Sequence, residues 1–139
     1  MAVILQGQVI RAGEVEGQML VATEPLSFWG GYDYRTGQII DRRHPLAGQC
    51  AASRILAVPF TRGSSSTTAV FLEAVKAGTA PLAIITTEPD SFFALASIVA
   101  DELYGKPVPL LALAEEAFTQ LQNGQIATIR VNGEIRIVE

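Results

Sequence analysis

The second half of this chain alternates between two kinds of segment, and that alternation constrains its fold more than any other feature. "RILAVPF" (54–60), "APLAIITT" (80–87) and "VPLLAL" (108–113) are short apolar runs. Between them, residues 66–77 and "DSFFALASIVADELYG" (90–105) read as helices, and "EEAFTQLQNG" (115–124) reads as a third. Apolar strands separated by helices call for parallel pairing, with the helices packed on the sheet. The predicted helix ends are marked by residue type. Asp90 or Ser91 can cap the second helix after Pro89, and Gly78 and Gly105 stand where a helix stop wants glycine. Two more strands, "QIATIRV" (125–131) and "EIRIVE" (134–139), follow, joined by Asn132-Gly133, a two-residue hairpin signal.

The first half is punctuated by glycine: a strand "AVILQGQVI" (2–10), a strand "EGQMLVAT" (16–23), then an irregular segment from Pro25 to Gly48. The fold class expected is α/β: a compact β/β/α domain whose mixed sheet joins an N-terminal β region to strand–helix alternation. With 139 residues, the chain is long enough to bury a core, and 1–139 is expected to form a single domain.

Charged residues reach only 17%, against about 25% in typical globular domains. That is expected of a chain that hides part of its surface against a partner, and equally of a lone domain with a sticky surface. The net charge of −4 gives no nucleic-acid footprint. It is unevenly spread, since Arg35, Arg42, Arg43, Arg54 and Arg62 face a single acid, Asp41, over that segment. Such a strip either steers a small anion or forms a solvated basic face. Cys50 is the only cysteine, which excludes a disulfide framework and a cysteine-held cluster within the chain, and a buried, inert thiol is expected. No apolar run approaches the ~18 residues of a membrane span. "MAVILQGQVI" also lacks the basic start of a signal peptide, so no membrane contact and a cytoplasmic location are expected.

Two stretches carry candidate chemistry. In "PFTRGSSSTTAVFLEA" (59–74) an arginine, a glycine and three serines stand between a strand and a helix. Backbone N–H groups at a helix start have no helical acceptor, and the helix dipole adds positive potential, so an anion fits there. Gly63 allows close approach, and Arg62 can clamp a carboxylate or phosphate. Neither a P-loop nor a G-x-S-x-G elbow is present. Ser64, beside Gly63 and these donors, is placed where a serine oxygen anion could be stabilised, while capping alone accounts for the same serines. His44 in "RRHPLAG" reads as a turn residue. The second stretch, "EPLSFWGGYDYRTGQIID" (24–41), gathers Phe28, Trp29, Tyr32 and Tyr34 around Gly30-Gly31. It either lines a binding surface or folds over the core with Trp29 as anchor, and Asp33 before "YRTG" is turn chemistry.

Together, "PLSFWGGYDYRTGQIIDRRHPLAGQ" (25–49) and "VPFTRGSSS" (58–66) resemble the aconitase X family, specifically its small subunit or swivelling domain. "APLAII" (80–85) and "VADELYGKPVPLL" (99–111) continue the match over nearly the whole chain. The resemblance implies a swivelling β/β/α domain that closes over a large catalytic subunit and takes part in removing water from a hydroxylated carboxylate. Activities of the family include dehydration of cis-3-hydroxy-L-proline in bacteria and of phosphomevalonate in archaea. It also implies an iron–sulfur cluster or iron held by the large subunit as Lewis acid, with no cofactor on this chain. Carried over residue by residue, it makes Ser64 the base that takes the proton next to the substrate carboxylate. Ser65, Ser66 and the following N–H groups would steady the charge, Arg62 and Gly63 would support it, and Phe28, Trp29, Gly30 and Gly31 would face the closed site. The "TRGS" of this chain, where archaeal members often carry lysine before the glycine, points with "LSFWGG" to the hydroxyproline type. Two other readings compete: a non-catalytic swivelling or interaction module, and a stand-alone anion-binding domain.

Overall fold

The computed structural model describes residues 2–62 and 65–138. It is built on an eight-stranded sheet and a separate two-stranded one. The strands are β1 (Ala2–Gln6), β2 (Gln8–Arg11), β3 (Val15–Val21), β4 (Leu26–Ser27), β5 (Ile55–Ala57), β6 (Thr61–Arg62), β7 (Ala83–Thr86), β8 (Leu110–Ala112), β9 (Ile126–Ile129) and β10 (Glu134–Val138). The helices are α1 (Ser65–Ala77), α2 (Ser91–Tyr104) and α3 (Glu115–Phe118). The order in the large sheet is β1-β10-β9-β3-β5-β7-β8-β2. β3, β5, β7 and β8 run parallel, as the alternation demands, and antiparallel strands flank them.

The parallel strands are buried on both faces, which is why they read as unbroken apolar runs. Leu20, Leu56, Ile84 and Leu110 turn to one side and meet Phe71, Ala74, Phe93 and Ala96 of α1 and α2. Met19, Ile55, Ala57, Ile85 and Leu111 turn to the other and meet Ala127, Ile129, Ile135 and Phe118. The result is a β/β/α stack with two cores separated by one sheet. None of the described helices is long and apolar enough to cross a membrane.

Three local expectations change. The run 2–10 is two strands, which lie at opposite edges of the sheet order, so the sheet curls until both edges meet at Gly7. There the Gly7 N–H donates to the Gly133 carbonyl at 2.9 Å. A Cβ on Gly133 would stand 2.5 Å from the Gly7 oxygen, at a φ of +90°, so only glycine fits. The hairpin at Asn132-Gly133 exists, but its loop is Val131-Asn132-Gly133, closed by Gly133 N–H to Arg130 O and Arg130 N–H to Glu134 O. This is the three-residue form with glycine in the left-handed position. The helix expected over 115–124 stops at Phe118. Thr119 Oγ1 turns back to the Glu116 carbonyl at 2.7 Å, competing with the helix, and Leu121 is buried beyond it.

The helix stops hold. Gly78 and Gly105 have φ of +79° and +63°. Asp90 caps α2, its Oδ1 accepting from the N–H groups of Phe92 and Phe93 at 3.0 and 3.2 Å.

Candidate active site

Two strands of two residues each assemble the site. β4 and β6 pair in parallel, Leu26 opposite Thr61 and Ser27 opposite Arg62. The first runs directly into Phe28–Gly31 and the second into the Gly63–Ser66 segment. Two motifs more than thirty positions apart therefore leave neighbouring strand ends in the same direction. Gly63 and Ser64, and the side chain of Ser65, lie outside the described residues. Arg62 is exposed, and Ser66 is half-buried in the first turn of α1.

In the aromatic-glycine loop the structure separates what the sequence lists together. Phe28 is fully buried. It stacks on Tyr32 with centroids 4.6 Å apart and planes 4° from parallel, and meets Phe93 edge-on at 5.2 Å. Trp29 is 69% exposed, so the loop's anchor is Phe28 and not Trp29. Gly31 is buried, and only glycine fits there, since any Cβ would stand 2.1 Å from the Ser27 carbonyl oxygen. Gly30, at φ +74°, has nothing near its missing Cβ. Of the four, Trp29 and Gly30 present the outer surface, and Phe28 and Gly31 hold them there.

Tyr32 continues the anchoring. Its hydroxyl donates to the Thr79 carbonyl at 2.7 Å, and Thr79 Oγ1 donates to Tyr34 O at 2.6 Å, tying the loop to the C-terminal end of α1. Burial, and secondarily Cys50, push the Tyr32 phenol well above its ordinary pKa, so it stays protonated and serves as a tether. Asp33 makes the expected turn: its Oδ1 accepts from Arg35 N–H at 2.9 Å.

The other candidates stand apart from the serine segment or serve structure. His44 is buried within a turn, as its sequence suggests. Its Nδ1 accepts from Leu46 N–H at 3.1 Å, leaving Nε2 to donate to Glu24 O at 3.2 Å. Cys50 is exposed rather than buried. It sits in an isolated bridge opposite Gln38, where its neighbour Ala51 takes the inward place. Arg35 lies over the Tyr34 ring at 5.4 Å. The described residues do not fit a metal: no group of three His, Cys, Asp or Glu among them converges on one point.

The flanks of residues 63 and 64 are firmly tied. Thr67, fully buried in α1, donates from Oγ1 to the Arg62 carbonyl at 3.1 Å. Thr61 Oγ1 donates to Asp90 Oδ2 at 2.5 Å, and Thr68 Oγ1 donates to Phe92 O at 3.0 Å. Sequence reading found Asp90 only as a cap and marked neither Thr61 nor Thr68, because no pattern in a linear chain reports a bond across 29 positions. The N-termini of both long helices thus converge beside the C-terminal ends of β5, β6 and β7, with Asp90 already capping α2. A cavity of about 340 Å³ opens on the same rim, lined by Thr23, Pro59, Phe60, Thr87, Glu88 and Glu115 among others. In open α/β sheets this strand-end rim is where ligands bind.

A β/β/α stack with a serine-bearing helix start at its rim is the architecture of a swivel domain. A sequence model of the aconitase X swivel domain matches residues 4–139, and the chain belongs to that family. The cis-3-hydroxy-L-proline dehydratase of Pseudomonas aeruginosa is 47% identical over 104 residues, covering 75% of this chain and 18% of that protein. The phosphomevalonate dehydratase small subunit of Methanosarcina acetivorans is 31% identical over 136 residues, 97% of this chain and 89% of that one. The chain spans about a fifth of the length of the hydroxyproline dehydratases it matches. Among solved structures, holo aconitase X of Thermococcus kodakaraensis superposes with a TM-score of 0.87 at 31% identity, over 99% of both chains.

Proposed function

We propose that this chain is the small, swivelling subunit of an aconitase X-type hydro-lyase, and that the hydroxylated carboxylate it dehydrates is cis-3-hydroxy-L-proline. The observation that supports this is the β4–β6 register, which sets Ser27, just before the aromatic-glycine loop, opposite Arg62, just before the serine segment. In this reading Ser64 is the base that removes the proton next to the substrate carboxylate. Its oxygen anion is supported by the N-terminal dipole of α1, by Ser65 and Ser66 and by the exposed Arg62. Trp29 and Gly30 face the closed site, held from beneath by Phe28 and Gly31. The chain is inactive alone, because one serine offers no second group to assist the leaving hydroxyl. The large subunit completes the site, and the iron implied by the family is assigned to it.

Identity over the matched region supports the hydroxyproline substrate. A second substrate, phosphomevalonate, is supported by relatives that match nearly end to end as small subunits. Co-expression with the candidate large subunit, followed by dehydration assays on both compounds, tests the proposal. Turnover by the pair and by neither chain alone is expected. Two chains that fail to associate would return the serines to simple capping.

A further inference from the structure

We propose that Thr61 and Asp90 form a positioning pair that sets where the chain enters the serine segment. The inference rests on the reading of Ser64 as base. Asp90 uses its two carboxylate oxygens for different tasks. Oδ1 caps α2 through Phe92 and Phe93 N–H, and Oδ2 accepts the Thr61 hydroxyl at 2.5 Å. A cap needs only one oxygen, so the second is free to hold another element. Thr61 lies two residues before Gly63. On the far side of the segment, Thr68 Oγ1 bonds the Phe92 carbonyl, so the first turn of α2 grips the chain both before and after residues 63 and 64. β6 is too short to fix itself, pairing only through Thr61 and Arg62. Next to it, Pro59 O accepts both the N–H and the hydroxyl of Thr87, so the approach from β5 is fixed as well. The end of β6 is held to α1 by Thr67 Oγ1 on the Arg62 carbonyl, and the Thr61–Asp90 bond is what ties it to α2.

A base displaced by about 1 Å can cost on the order of 10²-fold in rate. Thr61→Val deletes the hydroxyl at constant shape and leaves the α2 cap untouched. In the assembled enzyme it is expected to lower kcat by about 10- to 100-fold with KM within about threefold. Thr61→Ser, which keeps the hydroxyl, restores kcat to within about threefold of the native chain. Asp90→Asn keeps an oxygen for the cap and offers Thr61 Oγ1 an amide donor in place of a carboxylate, so it should lower kcat less than Thr61→Val does. Hydrogen–deuterium exchange on the chain itself gives a readout free of turnover. In Thr61→Val, peptides covering residues 60–70 exchange faster, while those covering β7 and β9 do not. Native kcat in Thr61→Val, an equal loss in Thr61→Ser, a change confined to KM, or unaltered exchange over 60–70 would each overturn the positioning role. Ser64→Ala in the same series keeps the two readings apart. If it retains turnover the base assignment fails, while the exchange data still judge the pair.

Discussion

The two ends of the parallel strands both carry cavities, and they differ in what surrounds them. At the N-terminal end lies a cavity of about 500 Å³, lined among others by Gly13, Ser53, Gly78, Pro81, Lys106 and Pro107. At the C-terminal end the cavity is smaller, about 340 Å³. The larger one sits where α1 and α2 finish in left-handed glycines, so helix carbonyls and the negative ends of two dipoles point towards it. The smaller one sits among the loops that leave β3, β5, β7 and β8, with Glu88 and Glu115 in its lining. On the proposed reading, an acidic substrate would be met by the N-terminal dipole of α1, and cavity volume does not choose the end.

That contrast can be broken by experiment. The largest effect expected is from Ser64→Ala, which should lower turnover of the assembled enzyme by about 10⁴-fold, the upper end for loss of a general base. Folding should be intact, because even loss of a helix-capping side chain typically costs only about 1 kcal/mol. Steady-state kinetics beside a thermal melt separates the two. Phe28→Ala tests whether the aromatic-glycine loop depends on its buried anchor. Removing a ring packed against Tyr32, Phe71 and Phe93 should destabilise by about 3–5 kcal/mol. A fall in melting temperature of about 10 °C or more would show it.

Tyr32 gives a smaller, pH-dependent effect. Its folded pKa lies above the unfolded value of about 10. Its contribution is therefore fully present below pH 10 and is lost as pH rises beyond it, by about 1.4 kcal/mol per pH unit. At pH 9 Tyr32→Phe should be less stable by about 1 kcal/mol, having lost the bond to Thr79 O. Urea titrations from pH 9 to 11.5 should show that gap closing. The smallest effect belongs to the larger cavity. Lys106→Ala should leave turnover within about twofold, since Lys106 lies at the opposite strand ends from β6 and the start of α1. A tenfold loss of kcat would place the chemistry at the wrong end.

The central parallel strands and both long helices were legible because their signals are local and repeated: apolar runs, a capping aspartate, stop glycines. The edges were not. Gly7 inside an apolar run signals a bend, but no local rule says that its two sides travel to opposite edges of one sheet. The choice between Phe28 and Trp29 as anchor was equally hidden, because adjacent aromatics offer the same hydrophobicity. Cys50 read as buried from residue type, yet it occupies the outward place of a bridge. The serine segment was found as a motif, and the aromatic loop beside it as another. The pairing of the strands that lead into them rests on β4 and β6, whose two residues each carry no periodicity.

The pairing of β1 with β10 has a consequence for the order of events when the chain is made. Ala2 finds its partner in Val138, and Val15–Gln18 pair with Ile126–Ile129. A ribosome releases the first of these residues long before the second. The parallel centre and its two helices can collapse during synthesis, but the β layer must wait, with β1 and one edge of β3 unpaired until the last hairpin emerges. Such long-range closure is slow and exposes strand edges meanwhile. Closure of the β layer is therefore paced by the arrival of β9 and β10.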